Sequence, residues 1–155
     1  MPLPGKAKPD GRTVPLHRQA SLGILRTADA ITRDLDLVLK QYGLTATQYS
    51  VLLVLRGAGK RGASNSAIAE RMVKVEPDTT RLLDRLERRA WIRRERDYQD
   101  RRSVTSWITV DGLKLLQLLD PVIREQNVKP FALVHISELR QLIAGLEKVE
   151  KALGR

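Results

Sequence analysis

The chain contains no cysteine, which excludes disulfide bonds, thiolate metal sites and redox sensing through a thiol. Its only histidines, His17 and His135, lie far apart in the sequence, and we expect both to be surface or packing residues. No metal-ligand cluster, nucleophile motif or glycine-rich phosphate loop is present in the sequence. The sequence therefore predicts no enzymatic activity, no metal and no cofactor.

Long apolar runs are also lacking. No segment approaches the roughly 20 apolar residues of a membrane-spanning helix, and the first residues do not resemble a signal peptide. The composition is 42% hydrophobic and 30% charged, as in folded soluble proteins. A chain of 155 residues is long enough for one domain with a core. We expect a cytoplasmic protein that does not contact a membrane.

Positive charge is in excess. The chain has 28 Lys and Arg residues but only 18 Asp and Glu residues, so its net charge is +10. This excess favours an acidic partner such as nucleic acid or an anionic membrane. Residues 71–102 alone hold eleven basic and seven acidic residues. Residues 1–15 are rich in Pro, Gly and Lys, and we interpret them as a flexible basic arm that either contacts the DNA backbone or has no role.

The basic segment shows the pattern of an amphipathic helix. Thr79, Leu82, Leu83, Leu86 and Ala90 recur at the spacing that lines one helix face. Polar and charged residues occupy the other face, together with a proline that suits a first helical turn: Pro77, Thr80, Arg81, Asp84, Arg85 and Arg88. A helix with one apolar face and one cationic face fits the DNA major groove, although an ordinary solvated helix has the same pattern.

Two weakly alternating strands are predicted after this helix, at Ile92 to Arg96 and at Val104 to Ile108. The loop between them carries Asp100, Arg101 and Arg102. A basic helix followed by a strand, a charged loop and a second strand predicts a winged helix-turn-helix. We therefore expect a mainly α fold with a small β-hairpin wing (α+β).

The other helices are marked by caps. Thr45 and Gln48 form a capping-box pattern before a buried central helix that reaches about Arg56, and Ser64 is the expected N-cap of a short helix. Helices are also predicted from about Leu16 to Gln41, ending before Gly43 as a C-terminal cap, from Thr109 toward Val128 with a bend at Pro121, and from about Ser137 to Leu153. This last helix is expected to bury one apolar stripe: Leu139, Leu142, Ile143, Leu146, Val149 and Leu153.

The predicted organisation is one domain over residues 16–155, with the winged helix-turn-helix at 45–109. The helices at 16–43 and 110–153 carry more apolar surface than one small subunit can cover. We therefore predict that they form a dimer interface. A monomeric helical bundle is the alternative.

Several stretches between Leu44 and Leu116 resemble the MarR family of bacterial transcription regulators: LTATQYSVLLVL, SAIAERM, TTRLLDRLERR, DRRSVTSWIT and VDGLKLL. The resemblance implies a homodimer that binds a palindromic operator in double-stranded DNA, often released by a small aromatic or anionic effector. Two positions depart from the family pattern. Ala90 stands where glycine is usual, at a cost of roughly 1 kcal/mol if the backbone has a positive φ. Val75 cannot pair with a wing arginine, so such a pairing must use Glu76 or Asp78 or be absent.

Within this interpretation, Thr80, Arg81 and Arg85 face bases and phosphates in the major groove, and Arg88 lies nearer the backbone. The match to the wing motif implies that Arg102 enters the minor groove and that Arg101 is steered by Asp100 or held on phosphate. The exposed amides at the start of the short helix can take a phosphate. The remaining candidate DNA contacts are Ser64, Asn65, Pro77 and Asp78. An effector crevice could use Arg26, Tyr49 and Trp107, although Trp107 is equally consistent with core packing or a dimer contact. A sequence-tolerant architectural DNA-binding protein is the alternative function.

Overall fold

The computed structural model describes residues 14–72, 78–96 and 104–154. These residues form six α-helices, two short 3-10 turns and three strands. In chain order the α-helices and strands are α1 (Leu16–Lys40), α2 (Ala46–Ala58), β1 (Ala63–Ser64), α3 (Asn65–Arg71), α4 (Thr79–Arg88), β2 (Ile92–Arg96), β3 (Val104–Ile108), α5 (Val110–Val128) and α6 (Ile136–Ala152). None of the described helices is long and apolar enough to cross a bilayer.

Three helices begin where the sequence predicts, each with a side-chain cap. At α2, the Gln48 amide donates to Thr45 Oγ1 at 3.2 Å, and the Thr45 amide donates to Gln48 Oε1 at 3.1 Å. The Ser64 hydroxyl accepts from the amide of Ala67 at the start of α3. Thr109 caps α5 through the amide of Gly112. These caps satisfy amides that have no partner within the helix, and all three predictions are confirmed.

Helix α2 lies at the centre of the hydrophobic core. Val51, Leu52 and Leu55 of this helix are fully buried, which confirms the prediction of a central buried helix. They pack in one cluster with buried side chains from α1, α3, α4, β2 and α5: Leu39, Ile68, Leu82, Leu83, Leu86, Ile92, Leu116, Leu119 and Ile123. The core therefore joins the DNA-binding part predicted from sequence to α5, and it includes only the end of α1.

The three described strands form an antiparallel sheet in the order β1-β3-β2. In the β2–β3 hairpin Ile92 pairs with Ile108, and Arg96 pairs with Val104. Both hairpin strands have the predicted bounds. Strand β1 was not predicted, because two residues are too few to show an alternating pattern.

The basic helix α4 differs from its prediction at both ends. Its first residue is Thr79 and its N-cap is Asp78, whereas Pro77, predicted in the first turn, lies outside the described residues. Ala90 was predicted on the buried face, but it lies beyond the end of the helix and is exposed. The buried face of α4 consists of Leu82, Leu83 and Leu86.

The terminal helices have apolar faces that one chain leaves uncovered. Helix α6 starts one residue earlier than predicted, at Ile136, and His135 and Glu138 form its capping box. The predicted burial of its apolar stripe is wrong for a single chain, because no residue of α6 is buried. Exposed apolar side chains are concentrated on α1 and α6: Leu16, Leu22, Ile24, Leu25, Leu37, Ile136, Leu142, Ile143 and Val149. Helix α5 continues through Pro121.

A left-handed residue ends α4. Ala90 has φ 56°, and among the described residues it is the only one other than glycine with a positive φ. The Trp91 amide donates to the Leu86 carbonyl at 3.1 Å, and the Ala90 amide donates to the Glu87 carbonyl at 2.8 Å. This is the Schellman arrangement, in which glycine normally takes the left-handed position. The strain that the sequence suggested for Ala90 is therefore present.

We expect Ala90→Gly to stabilise the protein by about 0.5–1 kcal/mol. Relief of the left-handed strain at Cβ outweighs the extra entropy that glycine gives the unfolded chain. Urea unfolding at one fixed protein concentration measures the difference. In the control Ala28→Gly, inside the exposed part of α1, glycine should instead cost about 1 kcal/mol. A urea midpoint lower for Ala90→Gly than for the wild-type protein would show that left-handed strain at Ala90 does not destabilise the fold.

Candidate nucleic-acid interface

Helix α4 presents a cationic face opposite its buried one. Thr80, Arg81, Arg85 and Arg88 are all exposed, as the helical spacing predicted. The buried leucines fix the rotation of the helix about its axis, so these four side chains must point away from the core. The face is an uninterrupted polar surface with three guanidinium groups, a donor set suited to base edges and phosphates.

Asp78 supports the first turn of this face. One carboxylate oxygen of Asp78 accepts from the Arg81 amide at 3.0 Å, and the other accepts from Arg81 Nε at 3.0 Å. The Arg81 side chain remains 79% exposed. Asp78 therefore caps the helix and orients Arg81. It was also a candidate partner for a wing arginine, but the contacts described for it are to Arg81.

The contact between helix and wing is made further along α4. Arg94 of β2 donates through Nη1 to the Asp84 carboxylate, and the same nitrogen lies 3.6 Å from Glu87 Oε2. The Arg94 side chain is only 13% exposed. Helical spacing predicts Asp84 on the outer face of α4, and its pairing with Arg94 was not predicted. Strand alternation gives only part of the signal: Arg94 is two residues from the buried Ile92 and therefore on the same side of the strand, but its partner is not identified in this way.

The residues of the helix-to-wing contact line a cleft of about 400 Å³ between α4 and the hairpin. Its lining consists of Thr80, Asp84, Glu87, Arg94, Glu95, Arg96 and Val104. Strands β2 and β3 adjoin the wing loop at Arg96 and Val104, and both of these residues line the cleft. The ion pairs thus fix the wing strands relative to the cationic face.

Loss of the helix-to-wing contact should destabilise the fold measurably. We expect Asp84→Ala to lower the free energy of unfolding by about 1–2 kcal/mol, because a mostly buried guanidinium loses its nearest partner. Asp29 makes a comparison, since its pair with Arg33 is 70% exposed on both sides. Asp29→Ala should cost less than about 0.5 kcal/mol, as for most surface pairs. Equal losses of unfolding free energy in the two variants, measured by urea unfolding, would show that the Asp84 ion pair stabilises the fold no more than a surface pair does.

The start of α3 supplies the remaining described candidates. The Ser64 hydroxyl caps the helix and lies 3.0 Å from the Ser66 hydroxyl. Asn65 is half-buried, and its Oδ1 is enclosed with no hydrogen-bond partner among the described residues. The cap confirms the predicted structural role of Ser64, and contacts of Ser64 and Asn65 with DNA remain predictions.

The three residues suggested for an effector crevice are not gathered by the described contacts. Trp107 Nε1 donates to the Lys60 carbonyl at 3.1 Å, and the Arg93 guanidinium lies 4.3 Å from the centre of the Trp107 indole. These contacts hold the turn after α2 against the sheet. Arg26 is exposed on α1. The contacts of Trp107 therefore do not support a crevice shared by Arg26, Tyr49 and Trp107.

Tyr49 lies elsewhere, in the core cluster beside α5. Burial raises the pKa of its hydroxyl, and the negative charge of Asp120 raises it further, while Arg56 acts in the opposite direction. Arg56 Nη1 donates to both carboxylate oxygens of Asp120, at 2.8 and 3.0 Å. The hydroxyl therefore stays protonated at neutral pH, next to an ion pair that joins α2 to α5.

Three predicted DNA contacts, Pro77, Arg101 and Arg102, lie outside the described residues, and so does most of the N-terminal arm. The described part of the candidate interface therefore consists of the outer face of α4, the start of α3 and the two wing strands.

Comparison with known proteins agrees with this architecture. The sequence profile of the MarR family matches residues 44–104. The chain is 34% identical over 127 residues to the HTH-type transcriptional regulator PecS of Dickeya dadantii, an alignment that covers 79% of this chain and 76% of PecS.

Solved structures give the same result. A MarR transcription factor from Planctomyces limnophilus superposes with a TM-score of 0.69 at 34% identity, covering 88% of this chain and 98% of that protein. The MepR protein of S. aureus, in a structure of its complex with DNA, superposes with a TM-score of 0.76 at 25% identity, covering 85% of this chain and 96% of MepR.

Proposed function

Because the chain belongs to the MarR family, we propose that it is a transcriptional regulator that binds a palindromic DNA operator as a homodimer and represses the genes beside it. The observation that carries this proposal is the outer face of α4. Three buried leucines turn its exposed arginines away from the core, so that all three lie on one outward face. Such a face gains affinity by releasing the counterions condensed on the phosphates.

The proposed contacts divide into two classes. Thr80, Arg81 and Arg85 lie in the first turns of α4 and would face base edges in the major groove. Arg88 lies one turn further on and would contact the backbone, together with the start of α3. The assignment of Arg101 and Arg102 to the wing contacts rests on the family motif alone.

The proposed homodimer uses the uncovered apolar faces of α1 and α6, together with α5. In a winged helix-turn-helix dimer, the twofold axis relates the two α4 helices, so each contacts one half-site of a symmetric operator. The half-sites should then lie about one helical turn apart, roughly 10 base pairs. The proposed arrangement assumes the division at 16–43, 45–109 and 110–153, which stays a prediction from the sequence.

A small aromatic or anionic effector that releases the DNA is part of the proposal, since such release is often found in the family. Arg26 and Tyr49 remain candidates for binding it, and the contacts of Trp107 make this residue a weaker one. The proposed activity is binding and involves no reaction. A protein that acts on chromosomal DNA would work in the cytoplasm.

Selection of bound duplexes from a random pool tests the proposed function. We expect enrichment of one motif with inverted-repeat symmetry and a fixed spacing between its halves. Recovery of duplexes with no shared motif would instead favour the architectural alternative, in which the same cationic surface coats DNA without sequence preference. The net charge of +10 favours binding to DNA in either case, so the sequence of the recovered duplexes is the informative result.

A further inference from the structure

The turn that ends α4 is in contact with two of the helices proposed to form the dimer. Arg89 Nη1 donates to the Gly43 carbonyl, just beyond the end of α1, at 3.0 Å. On the other side, Thr109, the cap of α5, donates through Oγ1 to the Ala90 carbonyl at 2.6 Å and through its amide to the Trp91 carbonyl at 3.0 Å. The end of the helix proposed to contact bases is thus bonded to both α1 and α5.

The contact with α1 depends on one exposed side chain, that of Arg89. Gly43 has φ 71°, and the Leu44 amide donates back to the Leu39 carbonyl at 3.1 Å, so the turn after α1 is closed by its own hydrogen bond. A Cβ atom on residue 43 would lie 2.7 Å from Arg89 Nη1. The guanidinium carbon of Arg89 lies 4.9 Å from the centre of the Trp91 indole. The guanidinium is therefore held between the Gly43 carbonyl and an aromatic ring.

The contact with α5 is made mainly by the backbone. The first turn of α5 approaches Trp91 so closely that a Cβ atom on Gly112 would lie 2.3 Å from the Trp91 carbonyl oxygen. This close packing and the two hydrogen bonds from Thr109 would survive most single substitutions. The hydrogen bond to the turn after α1, in contrast, is lost when the Arg89 guanidinium is removed, while Leu39 of α1 stays packed in the core. Arg89 is thus the residue at which this polar contact between the ends of α1 and α4 can be interrupted.

We propose that Arg89 is a positioning residue, which ties the end of α1 to the end of the recognition helix α4 and thereby fixes the separation of the two α4 helices in the dimer. The proposal rests on the proposed function, since it assumes a dimer that spans two half-sites. Arg89 follows the last helical residue of α4 and need not touch DNA itself. Arg89 determines which spacing between the two half-sites the dimer accepts.

A distance measurement in the free protein tests this directly. Since the chain has no cysteine, Arg85→Cys on the exposed face of α4 accepts one spin label per subunit. Pulsed electron resonance then gives the distribution of distances between the two α4 helices. We expect Arg89→Met, which keeps an apolar stem over Trp91 but removes the donor, to broaden that distribution. Lys40→Met removes a positive charge from an exposed residue at the end of α1 and should leave the width unchanged.

The spacing preference gives a second readout that a purely structural role would not move. Wild type, Arg89→Met and Lys40→Met, without the label, would be titrated on the selected duplex and on duplexes with one base pair inserted or removed between the half-sites. Each such change also rotates one half-site relative to the other. We expect the wild-type preference for the selected spacing to fall about threefold or more in Arg89→Met, the size typical of a residue that couples two parts of a protein.

Arg89→Lys keeps the charge and one donor, so its preference should lie between those of wild type and Arg89→Met. The affinity for a duplex with a single half-site should be alike in all four proteins, which excludes a general loss of folding. An unchanged distance width or an unchanged spacing preference in Arg89→Met would overturn the proposal. A wild-type protein with no spacing preference would instead contradict the proposed function, so the two failures are distinguishable.

Discussion

Charge placed on the apolar face of α6 should abolish tight operator binding. In the variant carrying Leu142→Glu and Ile143→Glu, two carboxylates replace side chains that are half-exposed in one chain and would be covered in the dimer. Burying unpaired carboxylates costs several kcal/mol, so the protein should be a monomer at micromolar concentration. Each half-site would then be bound alone, and operator affinity should fall by about 100-fold or more.

Sedimentation equilibrium and operator titration measure the two effects together. The DNA-binding part should stay folded, because no residue of α6 belongs to the hydrophobic core. Lys148→Glu changes the charge on the opposite face of the same helix and should leave both the dimer and its affinity intact. A variant that remains dimeric, or a monomer that binds the operator as tightly as wild type, would contradict the assignment of this face to the dimer.

Arg81→Ala should cost about 1–3 kcal/mol on the operator, or roughly 5–150-fold in affinity, if the guanidinium contacts a base. Arg81 is oriented by Asp78 in the first turn of α4 and is almost fully exposed in the free protein. The loss on random duplex should be much smaller, since only the charge is missing there. One position in each half-site should lose its preference, and twofold symmetry makes it the same position in both.

Arg88 is the matched comparison on the same helix face. Arg88→Ala should lose similar affinity on operator and on random duplex, because a phosphate contact carries no sequence information. Neither substitution alters the buried leucines of α4, so thermal unfolding should hardly change. All titrations must use one salt concentration, since each lost phosphate contact changes the salt dependence. Equal losses for Arg81→Ala on the two duplexes would assign it to the backbone and move base recognition to Thr80 or Arg85.

The sequence was most informative where a local rule decides the structure. The caps at Thr45, Ser64 and Thr109 depend on two or three neighbouring residues, and all were predicted correctly. The hairpin strands and the buried face of α4 follow from periodicity, and their predictions were also correct apart from Ala90. Left-handed strain at Ala90 was expected from a single departure in the motif, and its positive φ bears this out.

The contacts between distant parts of the chain were not predictable in this way. Arg94 was one of several arginines on a weakly alternating strand, and nothing local identifies its pairing with Asp84 and Glu87. Arg89 lies 46 residues from Gly43, and its donation to that carbonyl follows only from the packing of α1 against the rest of the core. The sequence allows core packing, an effector crevice or a dimer contact for Trp107. In the structure its contacts are with the turn at Lys60 and the neighbouring strand.

The burial predicted for α6 was wrong for an instructive reason. Its apolar spacing is that of a helix with one buried face, yet one chain offers no surface to cover it. The pattern in the sequence shows that an apolar face must be covered but not whether the cover comes from the same chain. A second copy of the chain satisfies the pattern and the structure together.

The most direct test of the central claim, that this surface recognises a DNA sequence, is the affinity of the wild-type protein for the selected operator relative to a random duplex of equal length. Both would be titrated by fluorescence anisotropy at one physiological salt concentration. A sequence-specific regulator should bind its operator about a thousandfold or more tightly than random DNA. A ratio near one would contradict that claim and identify a protein that binds DNA through charge alone.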